Sequence, residues 1–174
     1  FSRVVANMSF ATIEMLRPLP SVALIPLSMM VFGFGYRMEI AVVAFATFWP
    51  ILLLTKAAVE QVEPRLVEVA RALNLGPMAK VFKIVLPSIL PRLFVALRLG
   101  VAIALVVAVT VEVAANPNGM GYALMLSQQT LQPDLMLAWL FWIGVVGYAV
   151  NAVTLSVQRS VGRFMGECGE RSGS

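Results

Sequence analysis

The sequence predicts an all-α fold: a polytopic bundle of helices that crosses a membrane several times. Three observations carry that prediction. First, 60% of the 174 residues are hydrophobic and only 13% are charged, with a mean hydropathy of +0.88. Soluble domains hold about 45–50% apolar and about 25% charged residues, and a chain of this size folded in water leaves much of its area exposed. Lipid is the solvent that suits the excess. Second, four stretches free or nearly free of charge are long enough, or nearly so, for a hydrocarbon core of about 30 Å. Third, the basic residues gather at alternate ends of those stretches, as the positive-inside bias requires.

The elements follow in chain order. Residues 1–17 are expected to form a lead-in helix, since Phe10, Ile13, Glu14 and Arg17 keep helical spacing. The membrane domain is expected over residues 18–163. Its first span, Pro18 to Tyr36, carries no charge but holds Pro18, Pro20, Pro26, Gly33 and Gly35, so an irregular helix or a re-entrant segment is predicted. The second runs from Ile40 to Thr55 with Pro50 inside it, and the third from Leu93 to Ala115 with Arg98 and Glu112 near its ends. The fourth runs from Leu135 to Val157 without a charge. The tail, 164–174, is polar and rich in Gly and Ser, which predicts a mobile end. The chain opens on Phe1 and shows no signal-peptide pattern; a preceding segment with further spans is expected.

Charge placement orients these spans. If the connection between the second and third spans, residues 60–91, faces the cytoplasm, then Lys56, Arg65, Arg71, Lys80, Lys83, Arg92 and Arg98 all lie on that side. The stretch from Ala115 to Asp134 on the far side has no Lys or Arg, and the fourth span returns to Arg159, Arg163 and Arg171. Arg37 alone violates the bias. Arg98 is expected to snorkel toward the cytoplasmic head groups. The expected location is therefore a bacterial-type inner (plasma) membrane, multi-pass, with the C-terminus in the cytoplasm. The basic pI of about 9.7 reads as topology and implies no nucleic-acid partner.

Several chemistries are excluded. One cysteine, Cys168, allows no internal disulfide, and the absence of histidine removes the usual general base and the commonest metal ligand. No catalytic set and no metal site is predicted. No GxxxxGK[ST] loop is present, so the chain has no phosphate cradle for ATP.

The connection at 60–91 is the informative segment. Pro64 suits the first turn of a helix. Leu66, Val69, Ala70 and Leu73 then recur at i, i+3, i+4 and i+7, one apolar stripe, with Arg65, Glu68 and Arg71 beside it. Asn74 and Gly76, residues that tolerate φ > 0, and Pro77 are expected to end the helix near Leu75. Met78, Val81, Phe82 and Val85 form a second stripe, which Pro87 and Pro91 are expected to break. The result is a pair of short amphipathic helices. They serve either as a knob for a soluble partner or as interfacial helices lying on the membrane.

These residues resemble a known family. The run EVARALNLGPMAKVFKIVLP, Glu68 to Pro87, is similar to the EAA loop of binding-protein-dependent ABC importer permeases, with Glu68, Ala70, Gly76, Ile84, Leu86 and Pro87 as the matching positions. Asn74 stands where the family usually has glycine. RPLPSVALIPLSMMVFGFG, Arg17 to Gly35, resembles the opening of the nitrate, sulfonate and taurine branch, as do Glu112 and the group Gly119-Met120-Gly121. The resemblance implies a type I importer fold of about six spans, of which the four seen here would be the last four. It implies no cofactor in this chain, with ATP and Mg on partner ATPase subunits. A second permease subunit, expected to be identical, and an extracytoplasmic solute-binding protein would complete the assembly. The ATPase would grip the helix from Pro64 to Leu75, with Leu66, Val69, Ala70 and Leu73 as a buried face and Arg65, Glu68 and Arg71 at its rim.

Thr110, Glu112, Tyr148, Asn151 and Thr154 are the polar groups in or beside the spans that either line a path or gate it, or join helices by hydrogen bonds. Two other classes compete with the importer permease: a carrier or channel driven by ion gradients, and a membrane scaffold without transport.

Overall fold

The computed structural model describes residues 20–73 and 75–170, with the side chains of Val67, Arg71 and residues 161–170 left undescribed. The expected lead-in helix, the turn residue Asn74 and the last residues of the tail lie outside the described residues. Among the described residues every regular element is helical. A 3₁₀ turn, Ser21–Leu24, leads into α1, Ile25–Phe32. Helix α2 is Tyr36–Glu60, α3 is Pro64–Ala72 and α4 is Pro77–Lys80. A π turn, Val81–Val85, joins α4 to α5, Leu86–Ala114. Helices α6, Met120–Gln129, and α7, Pro133–Glu170, follow.

Three helical stretches among the described residues are long and apolar enough to cross a membrane: Tyr36–Glu60, Pro77–Ala114 and Pro133–Ser160. The first expected span is not one of them. Its apolar helix covers only Ser21–Phe32, because Gly33 and Gly35 take φ of +73° and +117°, a left-handed backbone that no α-helix continues through. At about 1.5 Å per residue this element is too short to span a bilayer.

Two further differences concern proline and the tail. Pro87 and Pro91 were expected to break the chain before the third span, yet the helix runs from Pro77 through to Ala114. The π turn supplies the reason. Leu86 donates its N–H to the Val81 carbonyl, a wider loop that offsets the ladder just ahead of Pro87. Pro87 then sits in the first turn of α5, where a missing N–H leaves nothing unsatisfied. Only Pro91 lies inside α5 proper. At the other end, α7 carries its helical backbone past Arg163 to Glu170, so helix replaces part of the expected irregular tail. Helix α6, ahead of α7, had no counterpart in the sequence reading.

The described residues form two compact units, one from the parts of the chain up to 49 and from 104 to 140, the other from 50 to 103 and from 141 on. In the first, Ile25, Met38, Val42, Val107 and Val111 are the buried apolar side chains. In the second, Ala58, Ala70, Ile89 and Ala96 are buried, and α5 approaches α2 closely at Gly100, where an added Cβ would lie 2.5 Å from Ile51 Cδ1 and 2.9 Å from its Cγ1. The small residues Ala58, Ala96 and Gly100 let helices meet without a bulky core, as membrane helices do. No residue in the apolar window of Pro133–Ser160 is fully buried, though Ile143, Val146 and Val150 are half-buried.

Candidate functional site

Helix α3 begins at Pro64, the position expected for it, and the Leu66 N–H bonds the Glu63 carbonyl at 3.0 Å. Its base is tied to the following span: Arg92 Nη1 donates to the Gln61 carbonyl at 3.4 Å. It ends with Leu73 N–H on Val69 O and Leu75 N–H on Ala70 O, both 3.0 Å. Gly76 does not use a left-handed backbone; it is extended, with φ −61° and ψ 160°, and precedes Pro77 at the start of α4. The turn chemistry expected of it is therefore not needed there.

The apolar stripe of α3 divides. Ala70 is 1% exposed and holds the helix against its own unit, where α3 packs on the π turn. Leu66 is half-buried. Val69 and Leu73 are 49% and 64% exposed, and Arg65 and Glu68 flank them in solvent. Ile84 and Leu86 are half-buried in and just after the π turn, and Pro87 is exposed. Of the expected gripping face, Val69 and Leu73 are free for a partner and Ala70 is not. The side chain of Arg71 lies outside the described residues.

The polar groups of the spans divide between the two units. In the first, Glu112 caps a helix. Its Oε2 accepts the Gly121 N–H at 2.7 Å, one of the unpaired donors at the start of α6, and its negative charge faces the positive end of that helix. Gly119 enters at φ +103°, and a Cβ there would run into the Glu112 carboxylate. Nearby, Asn116, 4% exposed, donates from Nδ2 to Glu39 Oε2 at 2.7 Å, while its Oδ1 has no partner among the described residues. A cleft of about 250 Å³ is lined by Phe34, Glu112, Asn116, Tyr122 and Met125 among others. Its carboxylate makes it a poor seat for an anion. Thr110 spends its hydroxyl on the Val106 carbonyl at 2.7 Å.

In the second unit, Thr154 bonds the Val150 carbonyl at 2.8 Å. Tyr148 is 76% exposed. Asn151 is the exception to this local pairing: its Oδ1 accepts Arg98 Nε at 3.1 Å, across from α7 to α5. Glu39, Asn116 and the Arg98 contact were missed by sequence reasoning. Glu39 abuts the apolar run that starts at Ile40, and Asn116 sits in the turn after the next span; nothing in their spacing pairs them. No group of three or more carboxylate, thiol or imidazole ligands gathers among the described residues.

These features define a class: a multi-pass, all-α membrane protein with a short amphipathic helix set in front of a long span. The chain belongs to the family of binding-protein-dependent transport system inner membrane components, which matches residues 1–166. It is 32% identical to a Methanocaldococcus jannaschii protein named as an ABC transporter permease, over 87% of this chain and 57% of the relative. It is 30% identical to a nitrate import permease of Synechococcus elongatus, over 86% of this chain and 54% of the relative. A Bacillus subtilis protein named as an aliphatic sulfonates transport permease is 29% identical over 86% and 54%. The chain thus spans about half the length of the relatives it matches.

Proposed function

We propose that this chain is part of the permease subunit of an ABC importer for a small anionic solute, and that α3 is the element its ATPase partner grips. The observation that carries the reading is the exposed pair Val69 and Leu73 on a helix anchored from behind by Ala70. An apolar face left open on an anchored helix is a docking surface for a groove. Arg65 and Glu68 would sit at the rim of that contact. The names of two relatives, for nitrate and for aliphatic sulfonates, support an anion as cargo.

In this reading the work is mechanical. ATP with Mg is bound and hydrolysed by two partner subunits, whose closure displaces α3 and, through the π turn, α5. Two permease subunits then alternate between outward-open and inward-open states, and a binding protein delivers the solute to the outer face. The 60–91 connection and the C-terminus lie in the cytoplasm. Val69→Asp with Leu73→Asp tests the docking: membrane insertion is unchanged, but copurification of the ATPase and ATP-driven uptake of the solute in proteoliposomes fall at least about tenfold, since each buried charge costs more than the 1.4 kcal/mol that a factor of ten requires. Undiminished uptake by the double variant would sink the assignment. Uptake driven by an ion gradient without ATP would favour a secondary carrier instead.

A further inference from the structure

Arg98 lies within an apolar helix and has no carboxylate within ion-pair distance among the described residues. Among the described residues its hydrogen-bond partner is Asn151, through Nε, at 3.1 Å. The partner's depth matters. Asn151 lies in the charge-free run from Leu135 to Val157, and the next charged residue along α7, Arg159, is about 12 Å farther on at the rise of an α-helix. Arg98 itself is about 9 Å farther along α5 than Arg92, the last basic residue before it. A snorkelling arginine turns its head toward the nearer water. This one is held by Asn151 on the neighbouring helix, within a run that carries no charge of its own.

The way it is held is informative. Asn151 is a neutral acceptor, so it orients the guanidinium without cancelling its charge. Binding through Nε leaves the Nη1 and Nη2 fork open, the planar array that matches an oxyanion with two parallel hydrogen bonds. Asn151 Nδ2 adds another donor, without a partner among the described residues. The hydroxyl of Thr154, one turn along α7, has its hydrogen committed to the Val150 carbonyl. The open donors at this point are thus the Nη groups of Arg98 and Nδ2 of Asn151, set around a single positive charge, and a charge in a span is too costly to stand without a counterpart.

We propose that Arg98, positioned by Asn151, forms a binding site for an oxyanion inside the span. The oxyanion is either the translocated solute or the phosphate of a lipid. The solute arm rests on the permease reading; the site itself does not.

The test uses the full-length permease in maltoside detergent free of phospholipid, with thermal unfolding as the readout. Sodium nitrate, bicarbonate and ethanesulfonate are each titrated against sodium chloride at equal ionic strength. Phosphatidylglycerol is compared with monogalactosyldiacylglycerol, which lacks phosphate. Saturable stabilisation is expected, with the half-saturating concentration raised at least about tenfold in Arg98→Gln, since a charge-assisted pair of bonds is lost. Asn151→Asp keeps the link to Nε but neutralises the guanidinium, so it should fold and yet lose the response. A response to the small anions identifies a solute site; a response to phosphatidylglycerol alone identifies a lipid phosphate. Equal responses in the wild type and both variants, or no response in the wild type, would overturn the proposal. Arg98-dependent anion binding in a protein that shows no ATP-driven uptake would overturn the transport reading and leave the site standing.

Discussion

At the scale of single residues, the clasp between Glu112 and the start of α6 is the clearest case of chemistry fixing structure. One carboxylate satisfies a helix N-terminus that would otherwise leave a donor bare in a dry setting. Gly119 permits this twice over: its φ of +103° suits glycine, and a Cβ would occupy the carboxylate's place. Gly119→Ala is therefore expected to destabilise the protein by about 1–3 kcal/mol. Glu112→Gln, which keeps an acceptor oxygen, is expected to cost less than Glu112→Ala. Thermal unfolding of the detergent-solubilised variants measures the order. Glu112 and the Gly119-Met120-Gly121 group stood out in the sequence, but as a pattern with several readings. Their mutual fit depends on a backbone angle and on two helices meeting, neither of which spacing reveals. The same holds for Asn116 and Glu39, whose partnership spans 77 positions.

At the scale of elements, the long apolar runs were legible because hydropathy and length suffice for them. Helices α2, α5 and α7 appear where the second, third and fourth spans were expected. The short elements were less legible. Proline in a sequence signals a break, but the π turn before Pro87 absorbs the defect and keeps the helix whole. Gly33 and Gly35 act in the opposite sense and end an apolar run that by composition looked long enough to cross. The contact of α5 with α2 supplies a test of packing at this scale. Gly100→Ala is expected to cost about 1–3 kcal/mol through overpacking against Ile51. Ile51→Ala in the same background should recover part of that loss, which a double-mutant cycle on unfolding free energies would read as coupling. Additive effects would mean that the helices do not meet there.

At the scale of the whole molecule, the basic residues and the three spanning stretches together make a topology that can be probed. With Cys168 replaced by Ser, Leu73→Cys is expected to react with a membrane-impermeant maleimide in inverted vesicles and not in intact spheroplasts. Thr130→Cys, in the exposed turn after α6, should show the reverse. Mass-tag labelling on gels distinguishes the two, and equal labelling of Leu73→Cys from both sides would contradict a cytoplasmic position for α3. Composition made the membrane legible; it carries no information about which side chains face lipid and which face other subunits. Helix α7 makes that difference concrete. Since Leu137, Phe141 and Val153 on this helix are exposed, swaps of one greasy side chain for another at these positions perturb little inside the chain. Wherever such a swap does harm, the injury must be to a neighbour, so the places of intolerance on this one helix trace the outline of whatever stands beside it.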